Sequence, residues 1–389
     1  MHKSIAVSLL GLSHQSITGG FVYTENLLKK LLPLDKDNSY FLITSLKNYN
    51  YFKNLYGKYP NVTLTIVDPR VDIIRNPLRA TQKIIAKIRK DNDRLEDIIT
   101  KEVQYFINKK KIDLFFFPTA IIYPRNLTNT KIVTTVYDLQ HKYFPENFSQ
   151  KMIEYKESTY KYAADHSDHL LSISNYTRKT YIDEYNVDPK RITTTHLGPH
   201  GSENETHIEL PKQYIFYPAA FWPHKNHKIL IETLGKLKNT FPELELVFTG
   251  IVKKKRIQEE LSEIIEKYNV ESEVHFLGFV TDEELTYIHK HASLLAFPSS
   301  FEGFGMPVIE AFKYGIPVIA SNNSSLTEVV GDAGILVETN NLEQLVRGIK
   351  KVLTDSDCRD NLIKKGKDRE KLFLWENTAK ETLSVFNSM

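Results

Sequence analysis

The stretch Pro298–Ser321, PSSFEGFGMPVIEAFKYGIPVIAS, decides how the rest of the chain is read. The apolar run Leu294–Phe297 comes before it and predicts a buried strand. Gly303 and Gly305 let the backbone turn tightly and approach a ligand closely. Pro307 fits the first turn of a helix, where its fixed φ is suitable and its missing N–H is not needed. The free N–H groups of such a helix start, with the helix dipole behind them, form an anion site. Glu302 falls on the loop and Glu310 early in the helix. Two carboxylates touching a phosphate would repel it, so they fit as acceptors for sugar hydroxyls on either side of a diphosphate. The bland alternative is a glycine loop with two solvated or helix-capping glutamates.

A second element, YPAAFWPHKNHKILIETL (Tyr217–Leu234), reads as a strand end, a turn through Pro223 and a helix from Asn226 or His227. Lys225 on that turn would point into the same cleft and offset diphosphate charge. Trp222 reads as a packing residue. His224 and His227 lack metal-ligand spacing and an acidic partner, so no metal is expected.

Working outward, strand-like and helix-like runs alternate. Strands are predicted at Ser4–Leu10, Tyr40–Thr44, Val62–Val67, Leu114–Phe117, Ile132–Val136 and Leu170–Ser172, with helices at Phe21–Leu32 and Lys151–Ala164. The polar, aperiodic stretch Gly198–Pro211 reads as an interdomain linker. Beyond it the pattern restarts with strands Tyr214–Tyr217, Leu244–Thr249, Val274–Leu277, Leu294–Phe297 and Pro317–Ala320. Between them fall helices His227–Asn239, Lys255–Tyr268, Asp282–His291 and Pro307–Tyr314. Such alternation predicts two α/β domains with mostly parallel sheets, facing each other across a cleft.

Length and composition agree with this. A chain of 389 residues with 41% apolar and 25% charged side chains suits a two-domain globular protein. A net charge of +3 is too small to suggest a nucleic-acid partner, and none is expected. A single cysteine, Cys358, cannot form an internal disulfide. The short apolar run near the N-terminus reads as a first strand rather than a signal, and no apolar run approaches the ~18 residues of a membrane span. The expected location is cytoplasmic. The segment Arg75–Lys111 carries eleven Lys/Arg against five Asp/Glu, with Leu78, Ile84, Ile85 and Ile88 interleaved. It reads either as a basic amphipathic helix suited to an anionic membrane surface, which would place the chain peripherally on the inner face, or as a solvated helix packed on the sheet.

Glu302-Gly-Phe-Gly followed by Pro307 and Glu310 resembles the E-x7-E signature of the family-4 retaining glycosyltransferases of the GT-B fold. The resemblance is dense from Tyr214 to about Val337, looser before that, and resumes at Phe373–Ala379. It implies GT-B architecture, two Rossmann-like α/β domains facing across a cleft. Residues 1–205 would form the acceptor-side domain, 206–370 the nucleotide-sugar domain and 371–389 a C-terminal helix packing back on the first domain.

Position by position, the resemblance implies that Glu302, with the backbone of Gly303, Phe304 and Gly305, holds the donor sugar. Glu310 would bind the ribose hydroxyls and Lys225 the diphosphate. Gly278, Phe279 and Val280 would line the nucleobase, with the loop Thr249–Gly250 beside them. Gly19–Gly20 would approach the donor phosphate and the acceptor. Ser324–Glu328 resembles a loop-to-helix element with a structural role, and Ser174 an element at the domain junction. Two positions depart from the family. Ala220 stands where an Arg often binds phosphate, with Lys253, Lys254, Lys255 or Arg256 as substitutes. Tyr137 stands where a His often precedes Asp138 near the reacting centre, with His141 close enough to compensate. The segment Pro218–His227 is similar to bacterial mannosyltransferase-like members. The implied donor is GDP-mannose, and the implied acceptor is a saccharide or lipid-linked saccharide in surface polysaccharide assembly, without a metal or other cofactor. The alternatives are a UDP-sugar-dependent transferase of the same fold and a non-catalytic sugar-nucleotide-binding protein.

Overall fold

The computed structural model describes residues 2–13, 18–67, 92–250, 252 and 255–389. Thirteen described strands form two sheets, and every adjacent pair is parallel. The first sheet holds β1 (Ser4–Ser8), β2 (Ser39–Thr44), β3 (Val62–Ile66), β4 (Leu114–Phe117), β5 (Lys131–Val136), β6 (His169–Ser172) and β7 (Ile192–Thr194), in the order β3-β2-β1-β4-β5-β6-β7. The second holds β8 (Gln213–Pro218), β9 (Leu244–Thr249), β10 (Val274–Phe276), β11 (Leu294–Phe297), β12 (Val318–Ser321) and β13 (Gly334–Val337), in the order β10-β9-β8-β11-β12-β13. Both orders run outward on one side of the first strand and then jump to its other side. Each sheet therefore has a topological switch point, between β1 and β4 in one and between β8 and β11 in the other, where open α/β sheets bind ligands.

Helices between the strands cover both faces, so central strands read as unbroken apolar runs. Leu114–Phe117 and Leu294–Phe297 are buried at every position. The edge strands β7 and β13 were not apparent from sequence. Both are short and lie at sheet margins, where pairing on one side and partial exposure weaken the apolar signal. Of the basic segment, residues 75–91, including Leu78, Ile84, Ile85 and Ile88, lie outside the described residues, as do Lys253 and Lys254. Its later part is the helix Asn92–Lys110, which buries Ile99, Val103 and Ile107 in the same core cluster as Phe115 and Phe117.

The linker Gly198–Pro211 has no helix or strand, yet it is held from both sides. Trp375 Nε1 donates to the Pro199 carbonyl (3.0 Å), and His200 Nε2 lies 3.1 Å from Asp282 Oδ2. The last helix, Trp375–Ser388, returns to the first domain and packs on the helix Gly19–Leu34. Lys3 Nζ donates to the Phe386 carbonyl (2.7 Å), and Lys30 pairs with Glu376 at 2.7 Å.

Candidate active site

At the second sheet's switch point, the turn after β8 and the loop after β11 meet. Lys225 Nζ lies 2.5 Å from Glu302 Oε1, with both side chains largely withdrawn from water. Neighbouring bonds fix the pair. The Tyr217 hydroxyl donates to the Lys225 carbonyl (2.8 Å) and lies 2.9 Å from Ser299 Oγ, while Ser300 N–H donates to the His224 carbonyl (2.7 Å). Glu302 N–H donates to Ser324 Oγ (3.0 Å), and Ser325 Oγ donates to the carbonyls of Glu302 (2.9 Å) and Phe304 (2.8 Å). Ser324 and Ser325 thus brace the glycine loop from below. Gly305 caps the helix Met306–Tyr314 with φ 108°, a left-handed conformation that favours glycine. A Cβ there would lie 2.7 Å from Leu326 Cδ2. Glu302 precedes the helix Met306–Tyr314 by only the short turn Gly303–Gly305, so the Lys225–Glu302 pair is joined to a helix start.

Glu310, on the same helix, is 5% exposed, and its Oε2 lies 3.5 Å from His289 Nε2. Thr249 is buried at the end of β9. Gly250, with φ 108°, donates its N–H to the Gly278 carbonyl (2.7 Å), and a Cβ on it would meet the Ala219 carbonyl oxygen at 2.7 Å. The loops after β8, β9 and β10 therefore touch through backbone. Among the described residues a Cβ on Gly278 (φ 68°) would meet nothing within 4 Å, Phe279 is 73% exposed and Val280 is half-buried. Trp222, expected as a packing residue, is 47% exposed. Its neighbour Phe221 is the one buried, stacked on His227 at 4.0 Å. Burial, with the Lys225 cation as a lesser cause, lowers the His224 pKa to about 3. His227 also falls to about 3, through burial, so both imidazoles are neutral beside Lys225.

The first sheet's switch point supplies a different surface. Thr18 caps the helix that begins at Gly19, accepting from Phe21 N–H (3.3 Å). Gly19 is exposed, while a Cβ on Gly20 would lie 3.3 Å from Thr119 and 3.7 Å from the Tyr137 hydroxyl. Tyr137 donates that hydroxyl to the Pro118 carbonyl (2.8 Å). Asp138 follows β5 and crosses toward the other domain: a Cβ on Gly303 would lie 3.1 Å from Asp138 Cβ and 3.3 Å from its Oδ2. Asp138 is thus brought to the Glu302 loop. His141 is placed elsewhere. It is buried with Nε2 3.2 Å from Glu157 Oε2 and its ring edge-on to Tyr160, within the packing of the first domain, and burial lowers its pKa.

Ser174 lies at the junction between domains, as the resemblance implies, together with contacts that sequence reading missed. Ser174 Oγ and Thr177 Oγ1 donate to the Gly303 carbonyl (2.8 and 3.3 Å). Glu328 accepts the N–H groups of Asn175 and Tyr176 (2.9 and 2.8 Å) at the start of the helix Asn175–Tyr185, where a carboxylate meets the positive end of the dipole. Phe301, buried beside Glu302, is ringed by Tyr143, Phe144 and Tyr176, with centroids 5.6–5.8 Å away.

Residues 202–369, which contain Lys225, Glu302 and Glu310, match the family described as glycosyl transferases group 1. The chain is 30% identical over 268 residues to the O-antigen chain mannosyltransferase B of Escherichia coli, covering 66% of this chain and 70% of that protein. It is 27% identical over 249 residues to the serotype-specific mannosyltransferase WbdA of Escherichia coli, covering 63% of this chain but only 28% of that relative. The Anabaena protein HepE, solved in complex with UDP and glucose, superposes with a TM-score of 0.72 over 100% of both chains at 16% identity, which establishes the GT-B fold. With its family match centred on the cleft-facing second domain and a relative aligned over most of both chains, the protein belongs to the group 1 glycosyl transferases and is a glycosyltransferase.

Proposed function

We propose that the protein transfers mannose from GDP-mannose, with retention of configuration, to a saccharide or lipid-linked saccharide acceptor in the assembly of a surface polysaccharide. The observation that carries the reading is the Lys225–Glu302 pair at the second switch point, next to the start of the helix Met306–Tyr314. A diphosphate set against that helix start would take Lys225 as its counter-ion. Glu302 would then be released to accept sugar hydroxyls. The acceptor hydroxyl attacks the anomeric carbon on the face the diphosphate leaves. The C–O bond to phosphate breaks, and the proton passes to the departing phosphate oxygen. Lys225 and the helix N–H groups stabilise the charge that develops there. Asp138, beside Gly303, belongs to the acceptor side of this arrangement. Mannose is supported by the names of the relatives in Escherichia coli.

The diphosphate charge is met by Lys225 and backbone N–H groups in this reading, without a metal ion, so transfer persists in excess EDTA. Among the described residues no helix is long and apolar enough to cross a membrane. We place the enzyme on the cytoplasmic side, against an anionic surface reached by the basic segment that ends in Lys109–Lys111. The deciding experiment is competition of GDP against UDP for the purified protein, followed by transfer from the matching sugar nucleotides. GDP binding at least ten-fold tighter, about 1.4 kcal/mol, is expected. A ten-fold preference for UDP would reassign the donor and leave the transferase class intact.

A further inference from the structure

Glu310 faces a residue that neither the motif nor the family match assigns. His289 lies on the helix Asp282–His291, next to the helix Met306–Tyr314, and is 1% exposed. Its ring is held on two sides: Phe216 of β8 meets it edge-on at 4.9 Å, and Tyr314 stacks on it at 5.4 Å. Tyr314 is itself tied through its hydroxyl to Thr286 Oγ1 (3.1 Å), so the imidazole has little freedom to turn. His289 Nε2 points to Glu310 Oε2 from 3.5 Å, and among the described residues neither ring nitrogen has a hydrogen-bond partner. An orphaned polar ring in a packed interior is costly, and it tends to persist where a function uses it.

We propose that His289 is a positioning residue for the nucleotide ribose, holding the Glu310 carboxylate in the orientation that receives the ribose diol. The proposal rests on the reading of Glu310 as the ribose-binding glutamate. A buried carboxylate with no fixed neighbour can rotate about its last bond, and ordering it opposes binding. A rigid imidazole beside Oε2 selects one rotamer and leaves Oε1 free for the hydroxyls. It acts as outer-layer partners do for groups that touch a ligand. The 3.5 Å gap closes to a hydrogen bond with a small shift of the Glu310 side chain.

The test compares GDP with 2′,3′-dideoxy-GDP by calorimetry, and UDP with its dideoxy analogue if the wild type favours uracil. Wild type prefers the ribonucleotide, and Glu310→Ala removes that preference. His289→Phe keeps the ring packing and lacks the nitrogens. It weakens ribonucleotide binding roughly ten-fold, about one hydrogen bond, while dideoxynucleotide binding is unchanged. His289→Gln, whose amide reaches the Nε2 position, restores most of the preference. If Glu310→Ala keeps the preference, the ribose reading fails and the proposal with it. If Glu310→Ala loses the preference and His289→Phe keeps it, only the proposal falls. Should the Phe variant not fold, His289→Asn, whose amide stops short of Glu310, must show the same selective loss.

Discussion

The two sheets share one strand order and one kind of crevice, yet their switch points are furnished in opposite ways. The crevice at β8 and β11 holds a cation, two withdrawn carboxylates and a left-handed glycine at a helix start. The crevice at β1 and β4 holds an exposed helix start, a phenol committed to a carbonyl and one carboxylate leaning toward the other domain. The architecture supplies a place for ligands twice, and side-chain chemistry decides what each place can do. Charged side chains are gathered on one side, and the other side offers mainly neutral groups.

The largest expected effect tests that division. Lys225→Ala and Glu302→Ala each lower kcat by about 10²–10³-fold, the loss typical of removing a group that stabilises transition-state charge. Each single change leaves its partner as a lone charge largely withdrawn from water, so Tm falls as well, and the kcat loss is read on protein shown to be folded. Asp138→Asn leaves nucleotide binding unchanged and raises KM for the acceptor. If Asp138→Asn instead weakened nucleotide binding as much as Lys225→Ala, the separation of donor and acceptor sides would be lost.

Next come the glycines. Gly305→Ala places a Cβ in a left-handed conformation and 2.7 Å from Leu326, and thermal or denaturant unfolding is expected to show a loss of roughly 1–3 kcal/mol. Among the described residues Gly19→Ala meets nothing within 4 Å and has no left-handed φ, and it is neutral or slightly stabilising. Equal stability changes at the two sites would contradict the contrast between a loop that excludes a Cβ and one that admits it.

Much of the second crevice was legible in the sequence because its signals are local. Gly303, Gly305, Pro307 and the seven-residue spacing of Glu302 and Glu310 all belong to one turn and the helix after it. The strands were legible wherever helices cover both faces, as at Leu294–Phe297, and not at the margins, as at Ile192–Thr194 and Gly334–Val337. The contacts that join the domains were not legible. Ser174 meets Gly303, and Glu328 meets Asn175, across gaps of 129 and 153 positions, and no local pattern encodes a pairing at that distance. Glu328 looked like a residue with a structural role, which it has, but its partner lies in the other domain. His141 was close in sequence to Asp138, yet the short helix Gln140–Tyr143 turns it inward to Glu157.

A smaller effect concerns pH. His227 is buried, with Nε2 3.2 Å from the Ala219 carbonyl and its pKa lowered to about 3, well below its ordinary 6.5. The unfolded chain therefore takes up a proton first as pH falls. The stability linked to His227 is complete above about 6.5 and drains away toward about 3. One pH unit below 6.5 the loss is about 1.4 kcal/mol. Urea unfolding of wild type and His227→Phe at two pH values measures it: the fall in stability from about pH 7.5 to 5.5 is smaller in the variant by that amount. An identical fall in both proteins would mean that the folded state accepts the proton.

The smallest effect asks what Tyr137 does where a related enzyme would often have a histidine. Its hydroxyl donates to the Pro118 carbonyl (2.8 Å), and desolvation pushes the phenol well above 10, so it neither loses a proton nor is free to donate one at neutral pH. Tyr137→Phe removes one hydrogen bond and leaves the ring on Tyr23, whose centroid is 5.9 Å away. The expected cost is about 1 kcal/mol in unfolding free energy, with kcat changed by no more than about three-fold, far from the 10²–10⁴ of a lost acid or base. A drop of a hundred-fold in kcat at unchanged Tm would make the phenol a participant in proton transfer. The first crevice would then be a chemical partner of the second rather than a neutral seat for the acceptor. A drop in Tm with near-normal turnover places Tyr137 in the wall of that seat, where it closes the loop after β4 onto the loop after β5 and keeps Asp138 facing Gly303.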